Sequence, residues 1–163
     1  MPQATARDYA AAAVFLAHPD AQAQRLAVPR MMLEAELALE QGMPGEALSR
    51  LADLRREAGA HTAALRLELR ALNAAHRTAE VPRLVAELVK RKVYDAEHGE
   101  MIRASAHADM LRTLSLDAAG LRNYWARVPE SDRVIPRVAR SAAQGFLAMG
   151  GDREAMEILA RSL

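Results

Sequence analysis

Residues 37–51 read LALEQGMPGEALSRL, and how this stretch is read decides the fold. An apolar helical pattern stops at Gln41-Gly42, and Pro44 opens a second pattern at once, because proline is tolerated in a helix's first turn. Residues 146–159, FLAMGGDREAMEIL, have the same shape: an apolar helix end, a small turn, and a restart on Glu-Ala-apolar. Gly42 and His76 stand 34 residues apart, and the same offset carries Ala47 onto Val81, Leu51 onto Val85 and Leu54 onto Leu88. From His76 to Gly150 is 74 residues, two further units of about 37. A period of this length is the mark of a helix–turn–helix repeat, each pair too small to bury its own apolar face.

Helix signals elsewhere agree with that period. Thr5-Ala-Arg-Asp8 resembles a capping box before a helix from Ala6 to Ala17, which stops at His18-Pro19. Asp20 is placed to cap a helix running to Gln41-Gly42, with Pro29 either kinking it or marking its true first turn. Pro44 opens a helix that Gly59 ends. Thr62 or His61 starts the next, with Leu65, Leu69 and Leu72 on one face. Thr78 is expected to cap a short helix carrying Val81, Leu84, Val85 and Leu88. Asp95 caps a helix to Leu114, and Asp117 or Ser115 caps one that Pro129 stops. Ser131 and Pro136 start a last antiparallel pair, broken by Met149-Gly150-Gly151. No segment alternates with period two, so the expected fold class is all-α.

Bulk composition narrows the function classes. Lys+Arg 22 against Asp+Glu 21 gives a net charge of +1, without the basic excess of a nucleic-acid binder. With no cysteine there is no disulfide, thiolate zinc site, iron–sulfur cluster or cysteine nucleophile. No apolar run approaches the roughly 18–20 residues that span a bilayer, so no membrane span is expected in this segment.

The period and the small-residue positions fit the tetratricopeptide (TPR) frame. Ala35 and Ala143 fill the site where the first helix of a pair packs closest to the second. Phe146 supplies the aromatic three residues on, where Ala38 and Leu72 stand in the other units. Ala47 and Ala155 take the small site early in the second helix, followed by Leu51 and Leu159. Gly59 stands where proline is usual, and Leu69 and Val81 depart from the small-residue positions. The expected architecture is a TPR-like right-handed helical-hairpin solenoid of about 3–4 helix pairs in a single domain. Its divisions are a leading helix or partial repeat over 1–27, repeats over 28–61 and 62–94, an irregular repeat over 95–130 and a truncated one over 131–163.

Three stretches, RLAVPRMMLEAELALEQGMPGEALSRLADLRREAGAHTAALRLELRAL, LVAELVKRKVYDAEHGEMIRASAHADML and LRNYWARVPESDRVIPRVARSAAQGFLAMGGDREAMEILARSL, resemble in their order the HemY-type TPR proteins of protohaem IX biogenesis. The most specific pieces are Lys90-Arg91-Lys92-Val93 before an acidic helix start, and Tyr124-Trp125 followed by Pro129. The resemblance covers most of Arg25 to Leu163. It implies a bacterial inner-membrane protein held by an N-terminal anchor, of which this chain is a middle portion of the soluble region. It also implies a scaffold whose protein partners include late haem-synthesis enzymes. The unrelated flavin-dependent oxidase that shares the name in some bacteria is not resembled, because no Gly-x-Gly-x-x-Gly follows a strand here.

Candidate chemistry is sparse. His18, His61, His76, His98 and His107 form no His-Glu-x-x-His and no other close pair with metal-ligand spacing, so no metal site is expected. His98 and His107 share a predicted helix but lie nine residues apart and face different sides. Either is a candidate axial ligand for haem or another porphyrin, against the more ordinary reading as a structural histidine. Met31, Met32, Met101 and Met110 read as core filler before they read as soft ligands. No Gly-x-Ser-x-Gly or paired-carboxylate arrangement stands out, so no catalytic residue is assigned and a non-enzymatic protein is expected.

The informative feature is the face that helix A of each TPR unit turns to the concave side. In the second unit it carries Arg66, Arg70 and Asn73, and in the last Arg137, Arg140 and Gln144, with Arg103 joining from the irregular unit. Guanidinium groups bind carboxylates bidentately, so the expected partner is an acidic protein segment, or a porphyrin through its propionates. The competing reading pairs these arginines with neighbouring glutamates on a solvated face. A generic peptide-binding TPR adaptor with no haem role is the alternative to the HemY-like scaffold.

Overall fold

The structure is a computed structural model that describes residues 26–163. The expected helix over Ala6 to Ala17, its Thr5 start and the Asp20 cap lie outside the described residues. Among the described residues every regular element is helical. The α-helices are α1 Ala27–Glu40, α2 Pro44–Ala58, α3 Thr62–Ala74, α4 Val81–Lys90, α5 Ala96–Thr113, α6 Ala118–Arg127, α7 Glu130–Arg133, α8 Pro136–Ala148 and α9 Asp152–Arg161. A 3₁₀ turn, Thr78–Glu80, leads into α4. No helix among the described residues is long and apolar enough to cross a membrane.

The helix ends explain the period. After α1, Gly42 takes a φ of 74° and the Met43 amide donates to the Ala38 carbonyl at 2.8 Å. After α3, His76 takes a φ of 56° and Arg77 N donates to Leu72 O at 2.9 Å. After α8, Gly150 takes a φ of 84° and Gly151 N donates to Phe146 O at 2.7 Å. Each joint is a left-handed residue followed by an amide that reaches back five residues to an orphan carbonyl, the Schellman stop. Lys92, at φ 60°, ends α4 in the same way, with Val93 N on Leu88 O at 2.9 Å. The 34-residue offset therefore superposes one joint on the next, acceptor carbonyl included.

His76 and Lys92 hold this conformation with a Cβ, which costs an L residue about 1–2 kcal/mol. Exposed His76 makes the comparison simple. His76→Gly is expected to raise stability by about 0.5–1 kcal/mol, the strain relieved less the extra entropy of glycine in the unfolded chain. A urea titration checks this, and a lower midpoint for the variant would show that the ring contributes more than the strain it imposes.

The described residues divide into two compact units, one ending at Arg77 and the other running over Thr78–Leu163, and the division falls between the two helices of the repeat expected over 62–94. In the first, α1 packs on α2 and α3, and α2 on α3. Ala35 and Ala47 are both fully buried in the core that α1, α2 and α3 share. Met31, Leu51, Leu54 and Leu67 complete that core. Pro29 falls in the first turn of α1, which settles its alternative readings.

In the second unit α5 packs on α4 and α8, and α8 on α9. α5 comes close to α4 at Gly99, where an added Cβ would stand 2.2 Å from Cγ2 of Val89. Leu111, Leu121, Val138, Phe146 and Ile158 fill the core, with Ala142, Ala143 and Ala155 buried among them. Asp95 and Asp117 cap α5 and α6 as expected, accepting from His98 N at 2.7 Å and Gly120 N at 2.9 Å.

Two expected starts are corrected. Thr78 does not cap α4; it begins the 3₁₀ turn, and Pro82 sits in the first turn of the helix proper. Ser131 does not start the last pair; it lies in α7, a single turn that ends before Ile135. Pro136 forces Ile135 into extended backbone (φ −62°, ψ 124°) and restarts the chain as α8.

Candidate functional site

Arg103 and His107 stand one turn apart on α5 and so project from the same face. Tyr124 approaches them from α6 and Asp132 from α7. Asp132 is 3% exposed and His107 is 3% exposed, the two buried polar residues among those described. A buried carboxylate needs its lone pairs satisfied, and here they are. Oδ1 of Asp132 accepts from Nε of Arg103 at 3.1 Å, and Oδ2 accepts from Nε2 of His107 at 2.9 Å. The ionised carboxylate can only accept, so the ring proton belongs on Nε2. In the neutral ring Nδ1 then accepts from the Tyr124 hydroxyl at 2.8 Å. The imidazole also meets the Tyr124 ring edge-on, centroids 5.9 Å apart.

Burial alone would raise the Asp132 pKa, but hydrogen bonds from His107 and Arg103, with the guanidinium charge, outweigh it and hold the carboxyl below the usual range. Tyr124 moves the other way: burial first, and then the negative charge of Asp132, push its hydroxyl up to about 12. The tyrosine is thus a neutral donor at physiological pH.

Arg133, next to Asp132, fixes this corner of the unit. Its Nε donates to Val128 O at 2.9 Å, and Nη2 reaches the Trp125 and Ala126 carbonyls at 3.1 Å each, satisfying the end of α6. Its guanidinium carbon stands 5.4 Å from the centroid of the Trp125 ring. With α6 and α7 pinned together, Tyr124 and Asp132 are held on opposite sides of the imidazole.

The cluster lies in the wall of a groove of about 600 Å³ within the second unit. Pro82, Ala86 and Val89 of α4 and Val128-Pro129 after α6 give it apolar walls, and Arg83, Arg103 and Arg127 each reach it from a different helix.

The residues singled out from the sequence fall in separate places. Arg66, Arg70 and Asn73 lie exposed on α3 of the first unit, and Arg137, Arg140 and Gln144 lie exposed on α8 of the second. Arg137 and Gln144 border a hollow of about 270 Å³ beside Asp109 and Arg112. Arg70 pairs with Glu40 at 3.3 Å on the surface, as the solvated-face reading supposed, whereas Arg103 is engaged by the buried Asp132. Arg66, Arg137 and Arg140 have no ion-pair partner among the described residues. His98 is exposed, with its ring edge-on to Tyr94 at 4.9 Å, while His107 is buried, so the two do face different sides. Both nitrogens of His107 are engaged, and iron could bind it only by breaking one of those bonds. No group of His, Cys, Asp and Glu suited to a metal ion occurs among the described residues.

Asp132 and Tyr124 were not singled out as site residues. The available signal was the four-residue spacing of Arg103 and His107, which puts a cation and an imidazole on one helix face and calls for a buried carboxylate opposite.

No family model matches the chain, and no curated protein or solved structure matches it.

Proposed function

We propose that this protein is a non-enzymatic helical-repeat scaffold that docks acidic protein segments on the arginine-bearing faces of α3 and α8. The observation that carries the reading is that Arg66, Arg137 and Arg140 are exposed without an ion-pair partner among the described residues, at the helix-A positions of the TPR frame. Arginine held ready on a rigid helix is suited to carboxylate recognition, since its fork of donors loses little freedom on binding. The repeated Schellman joints and the buried alanines Ala35, Ala47, Ala143 and Ala155 support a TPR-like right-handed solenoid as the finer fold.

The Arg103–Asp132–His107–Tyr124 cluster favours binding over catalysis. Its groups satisfy one another, and both ring nitrogens of the histidine that would serve as general base are occupied. The resemblance to HemY-type proteins supplies the late haem-synthesis context, and with it an N-terminal membrane anchor upstream of the described helices.

The test is capture of partners by the purified protein against Arg66→Glu and Arg140→Glu variants. Each reversal is expected to weaken capture by about tenfold, the worth of a charge-assisted hydrogen bond. Unaltered capture rejects the faces as docking surfaces. Haem titration is the second arm. A shift of the haem absorbance that His98→Ala abolishes would add porphyrin to the partners, and an unchanged spectrum at micromolar haem leaves a protein scaffold alone.

A further inference from the structure

We propose that the groove beside the Arg103–Asp132 pair is a binding site for a small amphipathic organic anion, an apolar body carrying one carboxylate-like head. At about 600 Å³ it has the size of a small-molecule site, with the usual construction of apolar walls and a few convergent polar groups. Pro82, Ala86, Val89, Val128 and Pro129 form those walls, backed by the Tyr124 ring.

The charge of the lining selects the ligand. Asp132 is the one carboxylate among the lining residues, and Arg103 and His107 already compensate it. Arg83 of α4 and Arg127 at the end of α6 also line the groove, and neither has an ion-pair partner among the described residues. Uncompensated guanidinium groups from two helices, in a groove that also has apolar walls, favour an anionic head over a neutral or cationic one. The head belongs at Arg83 and Arg127, and the apolar body against the wall between α4 and α6. A protein segment would need a wider footprint, since even a modest protein interface buries on the order of 1,200 Å². The buried cluster has a part in this site: it gives the groove a rigid polar stretch of wall with no free carboxylate to repel the head.

The experiment uses the whole chain, with the fluorescent anion 8-anilinonaphthalene-1-sulfonate as probe and dodecanoate, dodecylamine and dodecanol as competitors. Dodecanoate is expected to displace the probe at micromolar concentration, dodecylamine far less well and dodecanol in between. The double reversal Arg83→Glu/Arg127→Glu is expected to weaken dodecanoate by about tenfold or more while leaving dodecanol nearly unchanged. Ala86→Trp, at an exposed wall position, is expected to exclude every competitor without loss of helical circular dichroism. Equal displacement by dodecanoate and dodecylamine overturns the proposal, as does indifference to both sets of substitutions. Stronger displacement by an acidic leucine-bearing hexapeptide than by dodecanoate overturns it in favour of a protein segment. These readouts are independent of capture at Arg66 and Arg140, so either reading can fail alone.

Discussion

Replacing Asp132 by alanine is expected to cost the second unit about 3–5 kcal/mol, the loss that follows when one partner of a buried ionic group is removed and the others are left uncompensated. Nε of Arg103 and Nε2 of His107 would both face a hole in the core without an acceptor. Against a typical domain stability of about 5–15 kcal/mol this is enough to unfold a marginal unit at modest urea. The triple replacement Arg103→Met/His107→Phe/Asp132→Leu is expected to recover most of the loss, because apolar groups of similar volume ask nothing of their neighbours. A urea midpoint for Asp132→Ala within the error of wild type would show that water reaches the cluster.

The same carboxylate sets an acid limit. Its folded pKa lies below the unfolded one, so its contribution is fully present above the ordinary aspartate value, about 4, and fades as pH falls through the folded value. Stability measured from pH 6 downward should therefore fall more steeply in wild type than in Asp132→Asn, which has no carboxyl to titrate.

The joints of this fold were legible in the sequence because they are made by residues with few alternatives. Gly42 and Gly150 occupy left-handed φ values that glycine adopts freely, and Pro44 and Pro136 mark first helical turns. His76 was legible only through the 34-residue offset from Gly42, since histidine carries no local signal for positive φ. Lys92 had neither the glycine nor the offset, and its turn passed unseen within Lys90-Arg91-Lys92-Val93. The arginines of the proposed docking faces, on α3 and α8 with Arg103 on α5, were legible as positions in a frame. Ion pairing then sorted its arginines: Arg70 and Arg103 are taken up by Glu40 and Asp132, and Arg66, Arg137 and Arg140 are not.

The buried cluster was not legible, for a physical reason. Pro-Glu-Ser-Asp-Arg reads as the acidic first turn of a long helix, in which an aspartate faces solvent and favours the dipole. Because Pro136 stops that helix after one turn, α7 instead lies against α5, and its third residue points inward at His107. Only the tertiary path of α7 distinguishes the two outcomes. A local pattern cannot carry that information.

Phe146→Ala is the other large loss to expect, about 3–5 kcal/mol for a fully buried phenylalanine with neighbours unable to collapse into its volume. Leu121, Val138, Ala143 and Ile158 of the same buried cluster come from three helices, so the cavity would be walled on several sides. The position also tests the frame. Ala38, Leu72 and Phe146 are the residues whose carbonyls accept the Schellman bond at their joints, and all are buried, at 5%, 3% and 2% exposure. One frame position is thus filled by side chains of very different volume, which means the space beside each joint differs in size. Exchanges should accordingly be asymmetric: Phe146→Leu loses only part of what Phe146→Ala loses, whereas Ala38→Leu overpacks a tight joint and costs about 1–3 kcal/mol. Chemical denaturation of the three variants checks the order. A loss below about 1 kcal/mol for Phe146→Ala would mean that α8 and α9 repack around the gap, and that the aromatic position is not what holds the last helix pair together.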